Sequence, residues 1–263
     1  MSRIDAAFAR LREQKRGGLI TYVTAGDPDA AASARILIAL ARGGADVLEV
    51  GVPFSDPLAD GPVIQRASER ALAAGMTLRG VLDVVRTVRA AVDTPIVLFT
   101  YANPVARMDP AVFAQTAKAA GADGVLILDY PVEEAEPLRA PLVDAGLDPV
   151  FLISPTTTDE RIRRSGELGR GFLYVISRLG VTGVRDTMAA DVAGLVGRVR
   201  AQSDLPVAVG FGISSPEHVA EACASADAAV VGSALVRVIA EHGNGPGIEQ
   251  RAEDYVRWLK SAV

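Results

Sequence analysis

The sequence predicts an α/β fold, a single (β/α)8 TIM barrel with an extra N-terminal helix, over residues 1–263. Three observations support this prediction. Eight short apolar runs recur along the chain, longer amphipathic segments lie between them, and no linker rich in proline or serine divides them. Strands that alternate with helices form a parallel sheet, and eight such units close a barrel. We therefore expect one catalytic domain.

The eight apolar runs are the predicted strands. They are rich in Val, Ile and Leu and alternate little with polar residues, which is typical of parallel strands covered on both faces. The runs span residues 19–23, 47–51, 96–99, 124–128, 150–153, 172–176, 207–209 and 228–231.

The segments between these runs have the periodicity of amphipathic helices. They span residues 31–42, 78–91, 111–120, 134–145, 191–201 and 216–222, with a first helix at 3–14 that could plug the barrel floor and a last helix at 250–262. Glycines that precede strands, such as Gly44 and Gly121, indicate left-handed helix caps. An open doubly wound sheet is the alternative fold. It would carry a glycine fingerprint after the first strand, where a turn with Gly26 and Pro28 stands instead.

Composition narrows the possible function classes. The net charge is −5 and there is no basic run, which disfavours nucleic-acid binding. Cys223 is the only cysteine, so no disulfide can form within the chain, and we interpret it as a small helix residue. The first residues are charged and lack the apolar centre of a signal peptide, and no apolar run approaches the length of a membrane span. We expect a cytoplasmic protein.

A carboxylate interrupts the second predicted strand. Glu49 lies in the middle of residues 47–51, and by alternation it shares a face with Val47 and Gly51. A buried glutamate costs several kcal/mol unless it is paired or protonated. It therefore serves either a structural hydrogen bond or acid/base catalysis, and we favour catalysis. Asp56 and Asp60 follow in the next loop, where they could be turn or cap residues, or could complete a proton-handling pair with Glu49.

Glycines follow the seventh and eighth strands. Gly210 and Gly212 lie after strand seven, and Gly232 and Ser233 lie after strand eight. Each glycine alone could be a helix cap. Together, at these two strand ends, they predict the phosphate site that barrels build from backbone N–H groups and a helix N-terminus.

The small numbers of lysines and histidines limit which reaction mechanisms are possible. The only lysines, Lys15, Lys118 and Lys260, lie on predicted helices, whereas Schiff-base or pyridoxal chemistry needs a lysine at a strand end. The only histidines, His218 and His242, come late in the chain and form no ligand cluster, so no metal site is predicted. Carbon–carbon cleavage here would run on carboxylates, hydroxyls and backbone dipoles, with a substrate that carries its own electron sink.

Two stretches resemble a known family. Residues 48–65 are similar to the signature of tryptophan synthase α chains, and residues 177–183 look like the mobile loop of that family after strand six. Shorter matches at residues 23–28, 101–105 and 210–213 occur in the same order. The strand-two segment is very specific, whereas the glycine turns alone would be weak.

The resemblance implies the cleavage of indole-3-glycerol phosphate to indole and glyceraldehyde 3-phosphate. It implies that Glu49 handles the protons of the glycerol hydroxyl and of indole C3, and that Asp60 accepts the indole N–H. Residues 178–188 would form a lid. The resemblance assigns substrate-binding roles to a further set: Tyr174, Thr182, Gly183, Phe211, Gly212, Gly232 and Ser233.

The resemblance also implies a partner. The family works as an α2β2 complex in which the β subunit uses pyridoxal phosphate to join indole to serine, and an internal tunnel carries the indole. No cofactor is expected in the α chain. Pro53, Asp56 and Asn103 would face the partner, although exposed residues there could be ordinary turn residues. Thr100 and Tyr130 depart from the family pattern and could alter the pocket wall or the partner contact.

Three other functions stay open. The chain could be a different phosphate-binding barrel enzyme, although such enzymes usually need a catalytic lysine or another aspartate arrangement. It could be an indole-releasing lyase that works without a partner. It could also have no catalytic role and only activate its partner.

Overall fold

The fold is a closed barrel of eight parallel strands in the order β1 to β8, each paired with its neighbour in sequence and β8 paired with β1. This computed structural model describes residues 1–176, 185–210, 212–243 and 245–263, and of residues 185–191 only the backbone. The barrel confirms the predicted fold class, and the open-sheet alternative is wrong.

Each predicted strand lies within two residues of an observed one. The strands are β1 Gly18–Thr24, β2 Val47–Gly51, β3 Ile96–Thr100, β4 Gly124–Ile127, β5 Asp148–Ile153, β6 Leu173–Ile176, β7 Val207–Gly210 and β8 Ala228–Val231.

The helices along the described residues include four that were not predicted: α3, α5, α8 and α11. The full set is α1 Arg3–Gln14, α2 Ala30–Gly43, α3 Pro62–Ala73, α4 Leu78–Arg89, α5 Ala102–Met108, α6 Pro110–Ala120, α7 Glu136–Asp144, α8 Asp159–Leu168, α9 Arg185–Arg200, α10 Pro216–Cys223, α11 Ser233–His242 and α12 Ile248–Lys260. The helix predicted from residue 134 begins later, at Glu136, after a 3-10 turn at Val132–Glu134, and Pro137 lies in its first turn, where proline is tolerated. Among the described residues, no helix is both long and apolar enough to cross a membrane.

Two apolar layers hold the barrel together. Outside the sheet, residues such as Leu48 and Val50 pack with the surrounding helices. Inside it, α1 closes the floor, because its buried Ile4, Phe8 and Leu11 join the interior cluster that contains Val47. This placement of α1 confirms the predicted plug, and it leaves the opposite end of the barrel open for a site.

Three aspartates brace the barrel floor, of which Asp123 is buried and Asp46 and Asp227 are half-buried. Asp46, Asp123 and Asp227 each precede a strand and accept a hydrogen bond from the first part of the strand before it. Asp123, for example, accepts from the Ile96 N–H at 2.9 Å and pairs with Arg89 at 2.7 Å. A buried carboxylate with both partners ties a strand to a helix, so these residues fix the end of the barrel away from the site.

Candidate active site at the carboxyl ends of the strands

Glu49 points into the barrel. It is fully buried at the centre of β2, where it is the cross-strand partner of Tyr22 on one side and of Val97 on the other. Its chain neighbours Leu48 and Val50 pack in the outer layer and Val47 in the interior, so alternation turns Glu49 inward. The side chain therefore lies above the plugged floor, facing the open end.

Burial controls the charge of this glutamate. Neither carboxyl oxygen of Glu49 has a hydrogen-bond partner among the described residues. Loss of water favours the neutral form, and burial raises the pKa of Glu49 from 4.5 to about 8. The structural alternative, a carboxylate held by a hydrogen bond, finds no support in the described part of the chain. At neutral pH Glu49 is mostly protonated, so it can act as an acid.

Asp60 is the second carboxylate of this end. It lies in the loop after β2, one residue before the Gly61 cap of α3. The Tyr101 hydroxyl donates to Asp60 Oδ2 at 3.0 Å, and the Ala59 N–H donates to that same hydroxyl at 3.1 Å. Burial raises the pKa of Asp60 to about 6, and the Tyr101 hydrogen bond opposes the rise. Asp60 is therefore largely ionised at neutral pH, whereas Glu49 is not.

Two buried tyrosines, Tyr22 and Tyr174, are each affected by the charge of both carboxylates. Burial raises the pKa of Tyr22, and the negative charges of Asp60 and then Glu49 raise it further. Burial and then the charge of Glu49 raise the pKa of Tyr174, with a further contribution from Asp60. Both phenols thus stay neutral next to both carboxylates. We call the set Tyr22, Glu49, Asp60, Tyr101 and Tyr174 the barrel mouth.

Sequence reasoning missed two members of the barrel mouth, Tyr22 and Tyr101. Tyr22 is a large polar residue within an apolar strand, the same signal that identified Glu49. Tyr101 directly follows β3, at the end of the barrel where active-site residues are expected. Those two signals could have found them. Their partners, however, lie elsewhere in the chain: Glu49 is opposite Tyr22, and Asp60 accepts from Tyr101.

The predicted phosphate residues lie at the ends of neighbouring strands β7 and β8. Gly212 has a φ of 74°, which favours glycine. Gly232 is the N-cap of α11 and Ser233 its first residue, and no side chain caps this helix end. The first N–H groups of α11 thus have no side-chain cap and could bind an anion. The Tyr255 hydroxyl donates to the Ser214 carbonyl at 3.0 Å, which anchors the loop after β7.

Three predicted substrate-binding residues lie outside the described residues: Thr182, Gly183 and Phe211. Most of the predicted lid at 178–188 lies there as well. Their roles stay predictions.

The expected partner face is only partly exposed. Asp56 and Asn103 are exposed, and Leu58 between them in sequence is 93% exposed. Pro53 is buried within the chain, so the exposure expected of it is wrong. Phe54 is half-buried because its ring packs on Tyr101, with centroids 5.1 Å apart.

The two departures from the family pattern lie in different places. Thr100 is buried at the end of β3, and its hydroxyl donates to the Tyr101 carbonyl at 3.3 Å. Tyr130 packs against the outer layer beside a small cavity at α7. Thr100 therefore adjoins the barrel mouth, and Tyr130 does not line it.

The lysines lie away from the barrel mouth. Lys118 and Lys260 are on α6 and α12, and Lys15 is the cap just after α1 and not part of that helix. None of them follows the carboxyl end of a strand. Among the described residues, no three His, Cys, Asp or Glu side chains group as a metal ion would require.

Comparison with known proteins gives one family throughout. The family model "Tryptophan synthase alpha chain" matches residues 8–262. The tryptophan synthase alpha chain of Solibacter usitatus is 50% identical over 260 residues, covering 99% of this chain and 97% of its own length. That of Burkholderia thailandensis is 47% identical over 264 residues, covering 100% and 97%.

Solved structures agree with this result. The tryptophan synthase subunit alpha of Legionella pneumophila superposes with a TM-score of 0.92 at 38% identity, covering 100% of this chain and 98% of its own. A chain of Mycobacterium tuberculosis tryptophan synthase superposes with a TM-score of 0.90 at 39% identity, with the same coverage.

Proposed function

Because the chain belongs to the tryptophan synthase alpha chain family, a lyase family of tryptophan biosynthesis, we propose that its barrel mouth cleaves indole-3-glycerol phosphate. The products are indole and glyceraldehyde 3-phosphate. One observation carries the assignment of roles: the two carboxylates of the mouth differ in charge at neutral pH, since the pKa of Glu49 is about 8 and that of Asp60 about 6. In such a pair, the protonated carboxyl can act as the acid while the other carboxylate stays ionised.

Glu49 performs the proton transfers. Its neutral carboxyl protonates indole C3, which leaves a cationic ring with a C2–N double bond. The carboxylate so formed then takes the proton of the hydroxyl on the carbon attached to C3. That carbon becomes the aldehyde, the bond to C3 breaks, and its electrons restore the neutral indole. Glu49 ends protonated as it began, and the ring serves as the electron sink.

Asp60 stabilises the charge that appears during this reaction. Its ionised carboxylate accepts the indole N–H, next to the positive charge of the C3-protonated ring. The hydrogen bond from Tyr101 holds Asp60 in place and favours its ionised form. A fixed negative group where positive charge develops stabilises the transition state more than the substrate. Tyr174 lines the pocket beside Glu49.

The substrate phosphate lies at the opposite side of the mouth. Gly212, Gly232 and Ser233 supply backbone N–H groups after β7 and β8. Gly183 and Phe211 complete the phosphate site, and Thr182 bonds Asp60 when residues 178–188 close as a lid that excludes water.

The chain needs no cofactor of its own in this scheme. It works with a β subunit as an α2β2 complex, and pyridoxal phosphate belongs to that partner, which receives the indole through a tunnel. Exposed Asp56 and Asn103 contact the β subunit, and buried Pro53 shapes the loop that carries Asp56. The domain at residues 1–263 is catalytic, and the expected location is the cytoplasm.

Indole formation by the purified chain from indole-3-glycerol phosphate, without added metal, tests the proposal. Glu49→Gln should abolish indole release, because an amide cannot exchange these protons. Glu13→Gln, at an exposed position on α1, is the matched control and should keep full activity. Unchanged turnover in Glu49→Gln would refute the acid/base role.

Addition of a β subunit tests the partnership. Gel filtration should show a larger complex, and the β subunit should stimulate indole formation strongly. Glu49→Gln should still activate the β subunit, because the partner face is unchanged. A chain that turns over fully alone and never co-elutes with the β subunit would be a free-standing lyase.

A further inference from the structure

Tyr22 lies across the barrel mouth. It is on β1, directly opposite Glu49 on β2. A Cβ atom placed on Gly51 would overlap the Tyr22 hydroxyl and lie 2.6 Å from its Cζ. At the other end, a Cβ atom on Gly232 would lie 3.5 Å from the Tyr22 Cβ. The phenol thus extends from the predicted phosphate residues to the space above Gly51, close to Glu49.

The phenol is held in this position. Its ring packs edge-on against Phe99, with centroids 4.9 Å apart and planes at 69°. Its hydroxyl forms a hydrogen bond with the buried Thr24 hydroxyl at 3.2 Å. A side chain fixed at the ring and at the hydroxyl cannot easily swing aside for a larger ligand. The hydroxyl therefore sets a firm limit to the space above Gly51.

The position of the hydroxyl relates it to both carboxylates. Tyr22 is the cross-strand partner of Glu49, which is proposed to protonate indole C3, and the charge of Asp60 also acts on its phenol. One hydrogen bond joins the hydroxyls of Tyr22 and Thr24, and only one of the two hydroxyl hydrogens is used in it. The other hydroxyl hydrogen has no partner among the described residues. The pocket wall beside the indole ring is therefore formed by an aromatic ring with one polar hydroxyl group.

We propose that Tyr22 is a specificity-determining residue: its hydroxyl, anchored by Thr24, closes the space above Gly51 and limits which substituted indole rings the site accepts. This inference rests on the proposed function, because it takes the aromatic ligand to be an indole. A hydroxyl has about the volume of a methyl group, so its removal should make room for one methyl on the ring. One methylene in an apolar pocket changes discrimination by roughly 10–200-fold.

Binding measurements test Tyr22 without requiring turnover. Nonreactive analogues that carry propyl phosphate in place of glycerol phosphate, unsubstituted or with one methyl at C2, C4, C5, C6 or C7, are titrated by calorimetry into the full chain. Tyr22→Phe keeps the ring and removes the hydroxyl. For at least one ring position, the affinity relative to the unsubstituted analogue should rise at least about fivefold. A ratio of affinities does not depend on the fraction of active protein.

Tyr130→Phe is the matched control, because it removes a phenol hydroxyl from the outer layer, away from the mouth. Its affinity ratios should equal those of the unchanged chain. The inference is overturned if no ratio rises fivefold in Tyr22→Phe, if Tyr130→Phe gives the same rise, or if the unchanged chain binds none of the analogues. Absence of indole formation by a chain that does bind them would instead refute the proposed function.

Discussion

The buried Glu49 makes the stability of the chain depend on pH. Its pKa is about 8 in the folded chain and near the ordinary 4.5 once unfolding exposes it to water. Between these values the unfolded chain has released a proton that the folded chain still holds. The contribution of Glu49 to the free energy of unfolding therefore falls as pH rises from about 4.5 to about 8 and is level outside that window. Glu49→Gln removes this titrating group, so the contribution of Glu49 to the slope should disappear.

The size of the effect follows from the shift. Each pH unit within the window costs about 1.4 kcal/mol, so at pH 7 the loss is about 3 kcal/mol, and above pH 8 about 5 kcal/mol. Since natural domains have only about 5–15 kcal/mol of stability, this glutamate is a large liability. The active site gains an acid of high pKa, and this gain accounts for the presence of Glu49 despite its cost in stability.

Urea unfolding at pH 5, 6, 7 and 8 measures this prediction. The difference in unfolding free energy between Glu49→Gln and the unchanged chain should grow by about 1.4 kcal/mol per pH unit in favour of the variant. A buried amide has its own cost, but that cost is the same at every pH. Glu13→Gln, at an exposed position, should leave the difference flat. Parallel curves for Glu49→Gln and the unchanged chain would show that position 49 does not titrate as described.

The remaining predictions concern the mouth and the floor. The pH profile of kcat/KM should be bell-shaped, with limbs near 6 and 8. Tyr101→Phe should move its acid limb upward, because the lost hydrogen bond held the pKa of Asp60 down; an unmoved limb would contradict this. Asp123→Asn should lower the urea-unfolding free energy by about 2–4 kcal/mol, against little change for exposed Asp83→Asn; equal losses would refute the bracing role. Gly212→Asp should raise KM about tenfold or more with kcat little changed. The new carboxylate repels the substrate phosphate, and a φ of 74° strains any residue other than glycine. An unchanged KM would count against the phosphate site.

The predicted helices show where local signals fail. The N-cap residues of the unpredicted α3, α5 and α11 are Gly61, Tyr101 and Gly232, and none of them caps its helix with a side chain. The side-chain cap that usually marks a helix start is therefore missing from the sequence. At Gly232 the missing cap also suits the proposed phosphate site, since an uncapped helix end leaves its N–H groups available to an anion.

The sequence by itself determined the barrel and the face that Glu49 shares with Val47 and Gly51. Apolar runs and strand alternation are properties of neighbouring residues, so they can be read along the chain. Only the tertiary structure decided the charge states of the two carboxylates and the place of Tyr22. Those depend on which groups from other strands exclude water and donate hydrogen bonds, and such neighbours exist only after the barrel has closed.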